Sequence, residues 1–519
     1  MSKYTALTIG PIFSTILKAK KTRQVWASSF FFSFIISKIV KLARDKQWGL
    51  ILPSDDGLNK NVYGAGLYGD RLYFQSDTVT VNIIKNGFKA ILEEIASDMA
   101  DKLKHEKASV NDYLDKYINL HIVELVVDEI HDNTKIEILK TLNCLLDQTE
   151  LNQHFPFIAD PDYLMDYLNL PINARSLISK AGFGENDKYG FPSIPEISLQ
   201  AYIRGNDDIR AFVKKFDDSS EEKLFGSLEK EFKKPMFPFM KYYCVLHADG
   251  DNISQVLEQI QSYDPIRRNE NLKKFSASIF DFAEKAALTI KNYGGNGIYL
   301  GGEDIMAFVP LANYVSEGKF NSVFNLVEQL DKDFKTTVHA FANNLSKDLS
   351  PTLSTGIMIA YHKHPLSEVI RESHDLLEKK AKKHYNKNNL AIKFQKHSGQ
   401  FTDCIIHKEG NTSWNKILKL NEKYLADASS ENAILTSIIQ KFREPIFIDL
   451  FKASIDSNRL DSFIKNNLNE APHSGKFKDF IKDVVDFANA ANDEYPADKN
   501  GMDIIFTVLR IIKFINDKK

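Results

Sequence analysis

The chain has 519 residues, of which 67 are Lys or Arg and 69 are Asp or Glu, so its formal charge is −2. This balance excludes a globally basic nucleic-acid-binding protein, and any RNA contact has to come from a local patch. The length predicts three or four domains. Three scattered cysteines indicate a reducing, cytoplasmic compartment without a disulfide framework.

The N-terminal region predicts a strand, a long helix and a glycine-rich hairpin. YTALTIGP (residues 4–11) favours the strand, and VYGAGLYGDRLYFQSD (residues 62–77) favours the hairpin. The apolar stretch SSFFFSFIISKIV is too short before Lys38 and Lys41, and too rich in serine, for a membrane span. It predicts a buried helix packed on the first sheet. The candidate basic patch consists of Lys18, Lys20, Lys21 and Arg23.

The middle of the chain predicts a helical connector followed by a strand with an acidic end. SSEEKLFGSLEKEFKK is typical of a helix, and it lies among Pro and Gly turns. In KYYCVLHADGDNISQVLEQI, the run Tyr242 to Leu246 favours a buried strand that ends at Asp249-Gly250-Asp251. An apolar helical face follows, with Asn252 or Ser254 as its cap.

A second acidic segment lies about fifty residues further along the chain. GIYLGGEDIMAFVP places Gly301, Gly302, Glu303 and Asp304 between two strand-forming runs. Such a sequence is also ordinary hairpin chemistry, because glycine adopts positive φ and turn carboxylates are solvated. In a ferredoxin-like unit, however, the first strand and this hairpin lie side by side, so Asp249 would meet both acids. Three neighbouring carboxylates repel one another unless a cation such as Mg²⁺ compensates.

The strand and helix that follow supply further candidate residues. PTLSTGIMIAYHKHPL predicts a strand with Ser354 near its centre, and SEVIRESHDLLEKKAKKH predicts a helix. Lys379, Lys382 and Lys383 on that helix would reach phosphate oxygens, or they form a solvated basic face. We select Lys382. Beyond residue 405, AILTSIIQKF, FIKDVVDFANAAND and MDIIFTVLRIIKFI indicate a helical domain.

These motifs carry a resemblance. Tyr-Leu-Gly-Gly-Glu-Asp, after the strand with His-Ala-Asp-Gly-Asp-Asn, resembles the palm domain of nucleotidyl cyclases and GGDEF-type enzymes. The Ile-Gly-Pro turn, the basic helix running into Trp-Ala-x-Ser, and GFPSIPEISL make the chain similar to the large polymerase/cyclase subunit of type III-B, Cmr-type, CRISPR effector complexes. The resemblance covers about residues 1 to 400.

The resemblance implies an α+β fold with two ferredoxin-like palm domains. We expect a degenerate first palm (1–150), a helical connector (151–235), a catalytic second palm (236–402) and a C-terminal helical domain (403–519). The two halves repeat the same order of elements. In the first copy, Gly10-Pro11 stands where Asp249-Gly250 would lie, so that copy lacks the metal carboxylate and should not catalyse. It retains one acid at its turn, Asp70. Asp70 faces the pocket between the palms, as a contact to a second substrate, or is a solvated turn residue.

Three departures from the family pattern bear on function. Gly-Gly-Glu-Asp replaces the usual Gly-Gly-Asp-Asp and keeps both oxygen donors. His131-Asp132 and His374-Asp375 lie deep in other elements, and the chain starts directly on the first palm, so we expect a compact form without the HD nuclease domain. Cys144, Cys244 and Cys404 lack the paired spacing of a zinc cluster, so we expect no zinc.

The resemblance implies an RNA-activated transferase that uses ATP and Mg²⁺ (or Mn²⁺) and releases pyrophosphate. Its product would be cyclic oligoadenylate, or AMP joined to S-adenosylmethionine. We expect as partners a guide CRISPR RNA, target RNA and the backbone, guide-end-capping and small helical subunits, and no membrane. The alternatives are a silent scaffold and a free-standing diguanylate-type cyclase. Catalytic and metal residues would be Asp249, Glu303 and Asp304; nucleotide-binding residues would be Gly250, Asp251, Asn252, Gly301, Gly302, Ser354 and Lys382.

Overall fold

A computed structural model describes most of the chain. The described residues are 2–75, 80–127, 138–151, 162–184, 190–216, 221–233, 236–316, 319–384, 387–408, 412–425, 476–495 and 500–517. The predicted helix at AILTSIIQKF and the pair His131-Asp132 lie outside these ranges.

The first palm contains a four-stranded antiparallel sheet in the order β2-β3-β1-β4. The central strand β1 pairs with both β3 and β4. The strands are β1 (Ser2–Gly10), β2 (Leu50–Leu52), β3 (Arg71–Gln75) and β4 (Asn119–Val127). The helices are α1 (Ile12–Lys18), α2 (Thr22–Asp45), α3 (Val81–Leu103), α4 (Lys107–Tyr117) and α5 (Ile138–Glu150).

Short helices connect the first palm to the second. They are α6 (Tyr163–Leu168), α7 (Leu177–Phe183), α8 (Ile194–Ser198), α9 (Gln200–Ile203), α10 (Asp207–Val213) and α11 (Glu221–Phe232). Side chains begin several of them: Ser193 caps α8 in a capping box with Glu196, and Asn206 caps α10. The helical character predicted for this stretch is present in its described part.

The second palm contains a six-stranded sheet in the order β12-β11-β10-β5-β7-β6. Its strands are β5 (Tyr242–Asp251), β6 (Asn296–Gly301), β7 (Asp304–Pro310), β10 (Thr352–Tyr361), β11 (Asn389–Gln395) and β12 (Phe401–His407), and β8 (Ala312–Ser316) and β9 (Lys319–Ser322) form a separate ribbon. The helices are α12 (Ile253–Gln261), α13 (Pro265–Tyr293), α14 (Val323–Phe334), α15 (Ala340–Leu345) and α16 (Leu366–Asp375). A π-helical turn, Leu376–Ala381, extends α16.

The described C-terminal part is helical, with α17 (Thr412–Tyr424), α18 (Lys476–Glu494) and α19 (Asn500–Asn516). The sheet of the second palm ends with β12, a few residues past the boundary predicted at residue 402. The predicted domain boundaries as such stay predictions.

Both sheets share one topology, which confirms the predicted α+β fold with two palms. The order β4-β1-β3-β2 in the first palm matches β10-β5-β7-β6 in the second, and this is the strand order of a ferredoxin-like fold. The second palm adds β11, parallel to β10, and β12 at the edge. Strand β5 ends at Asp251, as predicted, and β10 pairs with it as far as that residue.

The predicted hairpin at residues 62–77 is wrong in its partner strand. Within the described part of this stretch, residues 62–75, only Arg71–Gln75 forms a strand, and it pairs with Leu50–Leu52 and with β1. The glycine-rich part instead pairs with the second palm: the Gly66 N–H donates to the Ile298 carbonyl (3.0 Å), and the Leu300 N–H donates to the Gly66 carbonyl (2.7 Å). A tertiary contact therefore replaces the local hairpin.

Helix α2 is buried, as its apolar stretch predicted. Phe31, Phe32 and Ile35 are fully enclosed, and the Ser33 hydroxyl accepts hydrogen bonds from the N–H groups of Leu67 and Tyr68 (both 2.8 Å). Among the described helices, α2 alone is long and apolar enough to cross a membrane, and 72% of its most apolar window is buried inside the protein. The Ser33 hydroxyl thus bonds to the glycine-rich segment.

Gly356 in β10 allows α16 to pack closely on the sheet. A Cβ atom at this position would lie 2.5 Å from the Leu377 nitrogen and 2.6 Å from the Ser373 oxygen, both backbone atoms of the helix and its π-helical turn. Backbone atoms cannot move aside like a flexible side chain. The close approach therefore requires glycine.

We expect Gly356→Ala to lower the stability of the second palm by about 1–3 kcal/mol, because the added methyl overpacks this contact. Thermal denaturation followed by circular dichroism measures the effect. Gly226→Ala is the matched control: Gly226 lies in α11 with open space around its Cβ position, so alanine there should be neutral or stabilising. Equal midpoints for Gly356→Ala and the wild type would contradict the packing argument.

Candidate active site in the second palm

Strand pairing brings the three predicted catalytic carboxylates together where β5 ends and β7 begins, in the middle of the second sheet. In the register of β5 and β7, the last pair is Ala248 and Ile305, and Asp249 and Asp304 are the residues next to that pair. A Cβ atom on Gly250 would lie 2.8 Å from the Glu303 Cβ. The backbone of the Asp249-Gly250 end and the acidic turn are therefore in contact, as the ferredoxin-like arrangement predicted.

The two glycines of the turn have separate roles. Gly302 has a φ of +70°, which a tight turn between β6 and β7 requires and which favours glycine. A Cβ atom on Gly301 would lie 2.3 Å from the Tyr299 ring, so Gly301 leaves room for that ring to fold across the turn. The motif thus places Glu303 and Asp304 at the tip with Tyr299 beside them.

Of the three lysines predicted on this helix, Lys382 is the one that contacts the catalytic carboxylates. Its Nζ forms ion pairs with Asp249 and, at 2.7 Å, with Glu378 four residues before it. Lys379 instead pairs with Asp375 (2.7 Å), and Lys383 is exposed. Burial and the nearby charge of Lys387 lower the pKa of Lys382 to about 8, while the two carboxylates favour its charged form.

The acidic turn holds carboxylates that do not ionise easily. Burial raises the pKa of Glu303. The Asp304 side chain is accessible to solvent yet surrounded by protein, as in a cleft, and these surroundings, followed by the charges of Glu303, Glu378 and Asp70, raise its pKa. A bound cation would relieve this repulsion, and hard carboxylate oxygens are ligands that Mg²⁺ prefers.

Asp251 and Ser354 support the site from inside the sheet. Asp251 is 1% exposed and Ser354 is fully buried. One Asp251 oxygen accepts hydrogen bonds from the Ser354 hydroxyl (2.8 Å), the Thr352 hydroxyl (2.9 Å) and the Asn388 N–H (3.0 Å). These bonds fix β5 against β10. Direct nucleotide contact by Asp251 or Ser354 stays a prediction.

Asn252 is the residue before α12, as predicted, but its side chain does not cap the helix. It has a φ of 62°, in the left-handed region, and makes no capping hydrogen bond. Its side-chain oxygen instead accepts a hydrogen bond from the Lys387 ammonium (3.4 Å). A second lysine is thereby held beside the strand end.

Asp70 lies at the contact between the palms. The Thr8 hydroxyl donates to its carboxylate (3.0 Å). Burial, followed by the charges of Asp304 and Asp70, raises the pKa of Tyr299 in the second palm, and burial also raises the pKa of Asp70 itself. A Cβ atom on Gly69 would lie 3.3 Å from the Tyr299 hydroxyl. Asp70 therefore lies at the contact between the palms near Tyr299 and the acidic turn, and its contact with a second substrate stays a prediction.

Sequence reasoning missed Tyr299, Glu378 and Lys387. Glu378 could have been predicted from the sequence, because a glutamate four residues before a lysine on a helix commonly forms an ion pair with it. Tyr299 had none, because its position across Gly301 depends on the packing of the two palms. Burial, followed by the charge of Asp251, raises the pKa of Glu378, which adds a fourth acid to the site.

Other predicted motifs lie elsewhere. The His374 ring packs against Phe13 with 4.9 Å between ring centroids, and Asp375 pairs with Lys379. Cys244 and Cys404 are buried in strands, and Cys144 is exposed. Within the part of the chain that the structure describes, no three His, Cys, Asp or Glu side chains form a preformed metal-binding cluster.

The fold and site define a protein with two palm domains, one of which has an acidic turn. Two family models match it: Cas10/Cmr2, second palm domain, over residues 242–391, and CRISPR-associated protein Cmr2, N-terminal, over residues 4–120. Together they cover just over half of the chain, which belongs to the Cas10/Cmr2 family.

Particular relatives agree with this family. The CRISPR system Cmr subunit Cmr2 of Pyrococcus furiosus is 25% identical over 214 residues, which are 37% of this chain and 23% of the relative. The match thus spans under a quarter of that protein. A type III-B Cmr-beta structure bound to cognate target RNA has a TM-score of 0.55 at 12% identity, covering 91% of this chain and 79% of that one. A Csm1-Csm4 cassette in complex with cA4 has a TM-score of 0.54 at 9% identity, covering 99% and 70%. Both show the shared fold.

We expect Asp304→Asn to stabilise the protein at pH 7.5 and raise its thermal midpoint by roughly 1–3 °C, because it removes a charge that its neighbours repel. Differential scanning fluorimetry measures the midpoint. Asp348→Asn, at an exposed turn, is the control for a simple loss of charge. Added Mg²⁺ should raise the midpoint of the wild type more than that of Asp304→Asn. A lower midpoint for Asp304→Asn than for Asp348→Asn would contradict the repulsion.

Proposed function

We propose that this chain is an RNA-activated nucleotidyltransferase of a type III CRISPR effector complex, which makes a nucleotide second messenger from ATP. The supporting observation is the contact between the Asp249-Gly250 strand end and the Glu303-Asp304 turn, with Lys382 held on Asp249. The family membership and the Csm1 structure solved with cA4 agree with this activity. A silent scaffold would have no reason to keep mutually repelling acids at a cleft.

In the proposed reaction, an acceptor hydroxyl attacks the α-phosphorus of ATP. A new O–P bond forms as the hydroxyl releases its proton to solvent, the bond to the β-phosphate breaks, and pyrophosphate leaves with the electron pair. Asp249, Glu303 and Asp304 would hold Mg²⁺ or Mn²⁺, which when bound neutralises phosphate charge and stabilises the leaving group. Their donor chemistry fits, because all three offer hard oxygens and the raised pKa values of the turn acids favour a counter-cation.

The remaining residues position the nucleotide. Gly302 carries no side chain and has open space around its Cβ position, so a phosphate can approach the backbone of the turn there. At Gly250 and Gly301 the side chains of Glu303 and Tyr299 fill that space, so these two glycines would support the site by close packing. Lys382, held between Asp249 and Glu378, offers its ammonium to phosphate oxygens, and Lys387 extends the positive charge beside Asn252. Together they provide cations at the rim of an otherwise acidic site.

The identity of the acceptor determines the product. A second ATP as acceptor leads to cyclic oligoadenylate, whereas S-adenosylmethionine as acceptor leads to its conjugate with AMP. Asp70 favours the second, because its carboxylate attracts the sulfonium and ammonium charges of S-adenosylmethionine and repels a triphosphate. Mass spectrometry of products formed with ATP alone and with both compounds distinguishes them.

The proposed partners follow from the family. One similar structure is a Cmr-beta complex bound to cognate target RNA, and another is a Csm1-Csm4 cassette. We propose that this chain works with guide and target RNA and with backbone, guide-end-capping and small helical subunits. A free-standing diguanylate-type cyclase would instead turn over without RNA.

Replacing Glu303 and Asp304 together by alanine should abolish the nucleotide product while complex assembly stays intact, because the change removes carboxylates at a surface turn and no core volume. Product yield from ATP, with target RNA present, measures the effect. Asp112→Ala with Asp115→Ala, on the exposed face of α4, removes two acids elsewhere and should leave the yield unchanged. Full yield from the Glu303/Asp304 variant would refute the site.

Asp70→Asn should impair use of the acceptor more than binding of ATP, because it keeps the shape of the side chain and removes its charge. The loss of an acceptor contact of about 1–3 kcal/mol predicts roughly a five- to hundredfold drop in turnover at limiting acceptor. Turnover and the affinity for a non-hydrolysable ATP analogue are measured side by side. Asp147→Asn, an exposed acid paired with Arg71, is the control. Unchanged turnover for Asp70→Asn would make Asp70 a plain turn residue.

A further inference from the structure

A cavity of about 660 Å³ lies away from the acidic site, where the first palm, the connector and the second palm meet. It is lined by the turn between α1 and α2, the segment around α8, and the turn between β10 and α16. The last of these begins at the opposite end of β10 from Ser354. A strand of that length separates the two places by roughly 25 Å. Its basic lining residues include Lys20, Lys21, Arg23, Lys214 and Lys363.

The charge of this cavity departs from that of the whole protein. Among the described residues that line it, one carboxylate, Glu196, accompanies five Lys and Arg residues, although the chain as a whole carries −2. Glu196 is also occupied: one of its oxygens accepts from the N–H and hydroxyl of Ser193 (2.9 and 3.0 Å), and the other lies 3.7 Å from Lys214. The lining therefore carries a clear excess of positive charge.

The start of α2 adds to this charge. The N-terminal end of a helix carries partial positive charge, so acidic residues near it are normally stabilising. Helix α2 has 24 residues. Here the first turn contains no acid, and Lys20, Lys21 and Arg23 surround it. The Arg23 guanidinium donates to the Asn169 carbonyl (2.5 Å), but its buried Nε has no hydrogen-bond partner. Lys18 is not part of this group, because it lies over the Tyr117 ring and near Asp162.

We propose that this cavity, which we call the basic cleft, binds the phosphodiester backbone of single-stranded RNA. Phosphate oxygens would accept hydrogen bonds from the helix end and from the basic side chains around it. The cations come from three separate segments around an opening to solvent, as a chain of phosphates requires. Backbone phosphates are the same at every nucleotide, so binding to them is independent of sequence.

The test uses the full chain and a fluorescently labelled single-stranded RNA of mixed sequence. Anisotropy gives the dissociation constant from 50 to 300 mM KCl for the wild type and for Lys20→Gln with Lys21→Gln and Lys363→Gln. We expect at least a tenfold loss of affinity at 100 mM KCl. The slope of log K against log[salt] should fall by about two, since each phosphate contact to a single strand contributes about 0.7.

The matched control is Lys41→Gln with Lys85→Gln and Lys89→Gln. These lysines are exposed, and Lys85 and Lys89 flank Gly87, which packs on Leu42 near the other end of α2. The control loses the same charge and should bind RNA within twofold of the wild type. Equal losses in both triple variants, or no loss in the first, would overturn the proposal. Thermal midpoints confirm that each variant is folded.

Two further arms separate RNA binding at the basic cleft from binding of small polyphosphates and from the transferase reaction. Inorganic tripolyphosphate serves as a competitor: if the basic-cleft variant loses tripolyphosphate binding but keeps RNA binding, the site takes small polyphosphates and the RNA proposal fails. The Glu303→Ala/Asp304→Ala variant should bind RNA as the wild type does. RNA binding is thereby judged independently of transferase activity, so failure of either proposal leaves the other testable.

Discussion

The hydrogen-bond ladders on both sides of β5 are the constraint on which the site depends. Pairing with β7 holds Ala248 opposite Ile305, the neighbours of Asp249 and Asp304, and pairing with β10 extends the strand to Asp251. Carboxylates gathered in this way repel one another, and they stay together because the ladders and the buried core beneath them resist separation. Lys382 offsets part of the repulsion, and it reaches Asp249 because Gly356 lets α16 lie close to the sheet. Backbone geometry thus maintains an electrostatic arrangement that side chains alone would not adopt.

The contact between the palms closes an edge that would otherwise be open. Strand β6 is the last strand of the second sheet, and Gly66 of the first palm pairs with its outer side through two backbone hydrogen bonds. The unpaired N–H and C=O groups of an edge strand can form hydrogen bonds with a strand of another chain, which leads to aggregation. Covering this one with the first palm also brings Gly69 and Asp70 next to Tyr299. The same contact therefore protects the sheet and places Asp70 near the acidic turn.

The sequence was sufficient for features that local patterns determine. Alternation and glycine placement predicted β5, the turn at Gly301-Gly302 and the repeat of two palms, and the (i, i+4) spacing of Glu378 and Lys382 could have been read as an ion pair. It was insufficient where tertiary contacts prevail. The glycines at residues 64–69 are locally typical of a hairpin, yet they serve the approach of β6. Asp251 is predicted from its motif to bind nucleotide, and its hydrogen bonds to Thr352, Ser354 and Asn388 could not be predicted, because these residues are more than 100 positions away in the chain.

The acidic site and the basic cleft share one structural element. Lys363 lies just before α16 at the cleft, and Lys382 follows the π-helical turn that ends the same helix at the active site. An RNA placed directly against the acidic turn would be repelled, so separating the two by the length of β10 lets each keep its own charge. Coupling between such sites requires an element that has two arrangements and contacts both. Helix α16 contacts both, and π-helical turns are frequent at functional sites, where they depart from regular helical bonding. A shift of α16 when RNA binds would change the ion pairs of Lys382 with Asp249 and Glu378, and with them the charge offered to ATP.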